Sequence, residues 1–344
     1  MQKSIEHDYS IDVVRILAMF LVCVNHVAGG YRGMANAPTI VDRAAAVSFW
    51  SLAFVSVNLF MLTTGYLGIN HTWKTKSFLK LWGQVAFYCI GGLLLTALMS
   101  GHFSFSNSIS IISPIPFANG YWYFTAYAGA FFLFPYLNKG FLALSHQEQK
   151  KLLLTLFIVI CLFGFYNKSI WGGYNAVWLL VMYLAGAYIK LHPIVVKSRY
   201  LIGLYVSTSL IGGVLFSADS YMRHTYDVSL PLPGLDYTSP FTVCASLACF
   251  LICLRVKIAS PWLRKMLVLI APLTFAVYLI HTHPFLFGYF GRFARWIGEF
   301  SHYAWWHIPV VALLIFLFCL AVEYLRTRLF LGINSLIVRC KRTV

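Results

Sequence analysis

The sequence predicts an all-α polytopic membrane bundle of about ten transmembrane helices with both termini cytoplasmic, and three observations predict it. Of the 344 residues, 60% are hydrophobic and 10% charged, whereas soluble domains carry about 25% charged residues; mean hydropathy is +0.75. Ten apolar runs approach the roughly 20 residues that a helix needs to cross a hydrocarbon core. The basic residues gather in alternate connections between those runs, which fixes the orientation.

The runs lie near 10–30, 45–69, 78–100, 121–141, 150–167, 174–190, 200–217, 240–257, 267–289 and 307–328. The fifth, "LLLTLFIVICLFGFY", is the shortest, and its connection to the sixth is tight. Trp50, Trp73, Trp122, Trp171, Trp262 and Trp305 sit near run ends, where an indole bridges headgroup and hydrocarbon. No internal period and no appended soluble segment is visible, so residues 1–344 read as one integral-membrane domain.

A formal net charge of +16 invites a nucleic-acid reading, and the positions of the cations exclude it. Lys3, then Lys74, Lys76 and Lys80, then Lys139, Lys150 and Lys151, then Lys190, Lys197 and Arg199 occupy one side. Arg255, Lys257, Arg264 and Lys265, and the tail's Arg326, Arg328, Arg339, Lys341 and Arg342 join them. Arg32, Arg43, Lys168, Arg223, Arg292 and Arg295 fall opposite. Such a bias places the first side in the cytoplasm.

Seven of the eight cysteines lie in apolar runs and Cys340 in the tail, with no CxxC pair or zinc spacing, so neither a disulfide framework nor a metal site is expected. The first 30 residues read as a retained helix. Glu6, Asp8 and Asp12, with only Lys3 ahead, make a poor positive leader for a cleaved signal. Ser217–Pro240 reads as the longest extramembrane connection, an ordered or capping loop on the outer side. The polar-aromatic segment "SGHFSFSNSISIISPIPFANGYW" is its neighbour there.

Titratable groups inside a bilayer are costly and mark function by default. They are few here: Arg15, His26, His281, His283, and Glu323 near the inner end of the last run. Arg15 and His26 are eleven residues apart, three helical turns plus roughly 20°, so they share a face about 16 Å apart along the axis. Asp12, Met19 and Val22 fall on the same stripe. His281 lies about 21 Å up its run and His26 about 24 Å up the first, so the two imidazoles are expected at similar depth. Cation and imidazole on one line equally suit a carrier, although the proton-coupled kind needs a carboxylate relay that only Asp12 and Glu323 could supply.

"IDVVRILAMFLVCVNHV" (Ile11–Val27) resembles the first helix of the acyltransferase-3 family, with its Arg and His separated by ten residues. "VNLFMLTTGYLG" (Val57–Gly68), "GYWYFTAYAGAFFLFPYL" (Gly120–Leu137) and "TFAVYLIHTHPF" (Thr274–Phe285) resemble its later motifs in order, across nearly the whole chain. Ile16 and Thr64 depart from the family's usual Gly and Ser.

The resemblance implies a stand-alone membrane O-acyltransferase of the bacterial inner (plasma) membrane. It would move an acyl group, usually acetyl, from cytoplasmic acyl-CoA to a hydroxyl of a cell-envelope sugar or polysaccharide. On this reading His26 is the general base and Arg15 positions the donor, held by Asp12. Asn25 and His281 orient the base or stabilise the oxyanion. Lys74, Lys76 and Lys80 attract the donor's phosphates as point charges, while Tyr66, Trp122 and Tyr123 line the acceptor site. Glu323 is either the family's acidic residue in the final helix or an inner-rim partner for Lys or Arg. Acetyl-CoA is the expected co-substrate, with no metal and no nucleic acid; the alternative function is a secondary transporter or flippase for a lipid-linked sugar.

Overall fold

A computed structural model describes residues 7–71, 74–101, 121–163, 171–230 and 232–340. Trp73, His102, Lys168, Lys3, Lys341, Arg342 and most of the polar-aromatic segment lie outside them. Among the described residues the chain is helical with no strand.

The helices are α1 (Tyr9–Asn25), α2 (Ile40–Ala53), α3 (Ser56–Gly68), α4 (Thr75–Ser100), α5 (Trp122–Phe131), α6 (Phe134–Ala143) and α7 (His146–Phe157). They continue as α8 (Ala176–Leu191), α9 (Ser198–Tyr226), α10 (Pro240–Cys253), α11 (Pro261–Ile270), α12 (Thr274–His281), α13 (Phe287–Phe300) and α14 (His307–Cys340). Local chemistry starts several of them. Asp8 accepts from the Ser10 amide at α1, and Ser145 and Glu148 form a reciprocal capping box at α7. Asn175 caps α8, and proline begins α10 and α11, where its missing N–H costs nothing.

Among the described residues six helical segments are long and apolar enough to cross a membrane: Tyr9–Gly30, Ile40–Gly68, Thr75–Met99, Ser198–Tyr226, Pro261–His281 and His307–Gly332. The protein is therefore multi-pass. Ala176–Leu191 and Pro240–Cys253 are equally apolar but shorter. Three expected outlines change. The run 121–141 is two ten-residue helices, because Pro135 has no N–H for the Phe131 carbonyl and its ring crowds it. The run 267–289 instead begins at Pro261, tightens through Ala271–Leu273 around Pro272, and stops at His281; Phe287–Phe300 is a separate helix. Finally, the connection expected from Ser217 is helical through Tyr226, with Asp219 and Arg223 paired one turn apart on α9.

The interior is built around α1, α3 and α8. Backbones of α3 and α8 touch: a Cβ on Gly65 would stand 1.8 Å from the Tyr183 carbonyl oxygen, and one on Gly186 2.1 Å from that of Leu62. Small residues permit this approach, which is how helices gain packing where lipid offers no hydrophobic drive. Asn58 of α3, fully buried, then has both ends of its carboxamide hydrogen-bonded. Its Nδ2 donates to the Tyr237 carbonyl and to Ser246 Oγ, each at 3.1 Å, and its Oδ1 accepts from Trp178 Nε1 at 2.9 Å. The chain at Tyr237, in the approach to α10, is thereby fastened to the bundle.

Candidate active site

Helix α1 is flanked by α3, α11, α12 and α14, and its expected stripe faces inward between them. Arg15, Met19, Val22 and His26 line one side of a cavity of about 320 Å³. Phe60 and Thr64 of α3, Leu81 of α4, Tyr123 and Tyr127 of α5, and Pro272 and Phe275 of the α11–α12 break close it. A second cavity of about 380 Å³ lies beyond His26, walled by Asn25, Gly29, Trp50, Phe54, Tyr174 and Leu235. Val22, His26, Trp122 and Tyr237 belong to both. His26 thus stands where two chambers meet, one reaching toward Arg15 and one toward the opposite end of α1.

The turn carrying His26 is unusual. From His26 to Gly30 the helix widens, with the Tyr31 amide donating to the His26 carbonyl at 2.6 Å. Single wide turns of this kind recur at functional sites. A Cβ on Gly30 would lie 3.0 Å from the Phe287 ring, whose edge packs on the His26 face with centroids 5.9 Å apart.

His26 Nδ1 is 2.9 Å from His281 Nε2, and His281 Nδ1 is 2.5 Å from the Val277 carbonyl oxygen. Only one assignment of protons to two neutral rings satisfies this chain. A carbonyl can only accept, so His281 Nδ1–H donates to it; His281 Nε2 is then the acceptor, and His26 Nδ1–H donates to that. The remaining nitrogen of His26, Nε2, keeps its lone pair. His281 is itself pinned: it is fully buried, Tyr31 Oη donates to its carbonyl at 3.1 Å, and Tyr121 Oη donates to that of Leu279 at 2.6 Å.

The Arg15 guanidinium is loosely held. Its Nη1 lies 3.9 Å from Asp12 Oδ1 while the side chain stays 41% exposed, and the other oxygen of the buried Asp12 faces His7 Nε2 at 2.5 Å. Arg15 therefore retains hydrogen-bonding capacity for an anion or carbonyl. Asn25 Nδ2 donates to Ser56 Oγ at 3.4 Å, and Oδ1 finds no partner among the described residues. Asn25 thus lines the second chamber with its amide nitrogen turned to Ser56.

Other expected site residues divide. Trp122 lines both chambers and Tyr123 the Arg15 one. Tyr66 lines neither, because it lies near the end of α3 under Lys190, whose Nζ is 4.5 Å from the ring centroid, and against Phe250. Lys74, Lys76 and Lys80 are exposed at the start of α4, and the next residue, Leu81, is the one that reaches the cavity. Glu323 is buried away from both chambers: it accepts from Tyr88 Oη, from Gln84 Nε2 at 3.0 Å and from Arg326 through two bonds of 2.6 Å. Its pairing with Arg326 is the contact expected of an inner-rim partner for a cation.

Sequence reasoning missed Tyr237. Its ring packs beside those of Trp122, Phe54 and Tyr174, with centroids 5.9, 4.9 and 5.0 Å away. Next to it, burial holds the Asp236 carboxyl above the usual carboxylate range. The signal was Asn58, a carboxamide in an apolar run that has to grip something. Among the described residues no three His, Cys, Asp or Glu side chains converge in a way that could hold a metal ion.

A family model described as an acyltransferase domain, acyltransferase-3, matches residues 8–324. The chain belongs to the acyltransferase-3 family. No curated protein and no solved structure matches it. As an acyltransferase-3 protein it is a membrane acyltransferase that handles an acyl donor and an acceptor.

Proposed function

We propose that this acyltransferase-3 protein is an acyl-CoA-dependent O-acetyltransferase of a bacterial inner membrane, acting as one unit with both termini cytoplasmic and modifying a hydroxyl of a cell-envelope sugar or polysaccharide. The observation that carries this reading is the histidine pair at the junction of the chambers, with one nitrogen of His26 left basic. Family membership replaces the carrier reading with group transfer.

In the proposed reaction the pantetheine arm of acetyl-CoA enters from the Arg15 end, and the roughly 16 Å from Arg15 to His26 gives it length to lie in. Lys74, Lys76 and Lys80 draw the phosphates electrostatically and Arg15 bonds the donor. The acceptor enters the Trp122–Tyr237 chamber, whose aromatic faces suit a pyranose ring. His26 Nε2 removes the hydroxyl proton as the oxygen attacks the thioester carbonyl. The C–S bond then breaks, and the imidazolium returns that proton to the departing thiolate, leaving an ester and free CoA thiol. His281 holds the His26 ring and its tautomer throughout, as the buried third member of a catalytic triad does.

Purified protein given radiolabelled acetyl-CoA and a candidate glycan tests this. A base-labile ester on the glycan is expected from the wild type and not from His26→Ala; near-normal turnover by that variant defeats the mechanism. Loss of surface-glycan O-acetyl groups when the gene is removed identifies the acceptor.

A further inference from the structure

An open groove of about 530 Å³ lies outside both chambers, between α7, α8 and α10. Helix α7 changes character along its length: "HQEQKK" is water-seeking and "LLLTLF" is not. On the groove face His146 and Lys150 occupy the polar half, and Leu153, Leu154 and Phe157 follow on the same stripe. The stripe is about 16 Å long from His146 to Phe157, and its apolar part from Leu153 to Phe157 about 6 Å. Leu247 and Leu251 of α10 complete the apolar wall.

The polar end is built. His146 and His192 stack with centroids 4.0 Å apart, and His146 Nε2 lies 2.9 Å from Tyr188 Oη. Gln149, 4% exposed, donates through Nε2 to the Phe141 and Leu144 carbonyls, so its Oε1 accepts from His192 Nε2–H at 2.7 Å. That bond spends the one N–H of a neutral His192, while His146, taking the Tyr188 hydroxyl hydrogen at Nε2, keeps Nδ1–H to donate. Among the described residues no carboxylate forms an ion pair with Lys150, and Glu148 is held in the α7 capping box. A cationic, hydrogen-bonding head above an apolar trough is complementary to an anionic amphiphile.

We infer that this groove is a binding site for an anionic phospholipid, its phosphate on Lys150 and the His146 imidazole and one acyl chain along Leu153, Leu154 and Phe157. The site takes no part in the transfer chemistry and stands whether or not the donor and acceptor are as proposed.

Native mass spectrometry of the full chain, exchanged into mixed micelles holding equal phosphatidylglycerol and phosphatidylcholine, tests it. The wild type is expected to retain phosphatidylglycerol about tenfold over phosphatidylcholine. Lys150→Gln is expected to remove that preference, and Leu154→Trp, which fills the trough at a residue already 51% exposed, to lower retention of the lipid about tenfold. Both substitutions lie on exposed positions, and monodisperse chromatography of each confirms folding. Equal retention of the two lipids by the wild type, an unchanged preference in Lys150→Gln, or equal competition by the soluble headgroup glycerophosphoglycerol would each overturn the inference.

Discussion

Two of the polar clusters buried in the apolar bundle, around Glu323 and around His26, are built oppositely. Around Glu323 every charge is answered: Arg326 meets both oxygens, with Tyr88 and Gln84 adding bonds. Around His26 the bonds run in one direction, from His26 through His281 to Val277, and end with an unprotonated nitrogen at a chamber junction. Asn25 Oδ1 beside it is likewise unanswered. A closed cluster holds helices in register, whereas residual hydrogen-bonding capacity next to empty volume is what a reacting molecule can use.

Substitutions at the open cluster should therefore remove rate, and those at the closed one should remove stability. The largest effect belongs to His26→Ala, expected to lower kcat by about 10²–10⁴ with little change in thermal midpoint, since one general base is worth that much. His281→Leu severs the relay while keeping the volume. A drop of about 10² in kcat/KM is expected, with donor binding retained, because misplacing a catalytic group by about an ångström has that consequence.

Glu323→Gln should invert the pattern. Turnover per folded molecule stays within about twofold of wild type, while unfolding in detergent shows about 1–3 kcal/mol lost as Arg326 is left without its counter-charge. A rate loss as large as that of His281→Leu would erase the distinction between the clusters. Asn58→Leu leaves the Trp178 and Tyr237 partners unanswered and is expected to raise KM for the acceptor several-fold more than KM for acetyl-CoA, as steady-state kinetics with each substrate varied would reveal. The smallest effect is expected of the combined Lys74→Gln, Lys76→Gln and Lys80→Gln protein. KM for acetyl-CoA should rise about threefold at low salt and converge on wild type near 1 M salt, where the Debye length is about 3 Å.

The sequence disclosed the helical class because composition alone makes lipid the solvent, and it disclosed the α1 stripe because 3.6-residue periodicity survives in an otherwise apolar run. Arg15, Met19, Val22 and His26 do line one cavity, despite the widened turn that begins at His26. It could not disclose the meeting of His26 and His281, 255 residues apart, since depth along two helices says nothing about their rotation. Breaks at Pro135 and Pro272 were visible as prolines but were read through, because hydropathy averages over them. Tyr66 was misplaced because its ring, near an α3 end, meets Lys190 rather than a chamber. Tyr237 was missed because a loop residue has no periodicity to betray which way it faces.

Asn58 fastens the loop by the main-chain oxygen of residue 237, an atom that every amino acid possesses. The phenol above it can accordingly be exchanged for another side chain without loosening the clasp. If that chamber holds the acceptor as proposed, one scaffold can in this way present different walls to different acceptors with the histidine relay beneath them left untouched, so that new selectivity is open to a single codon change.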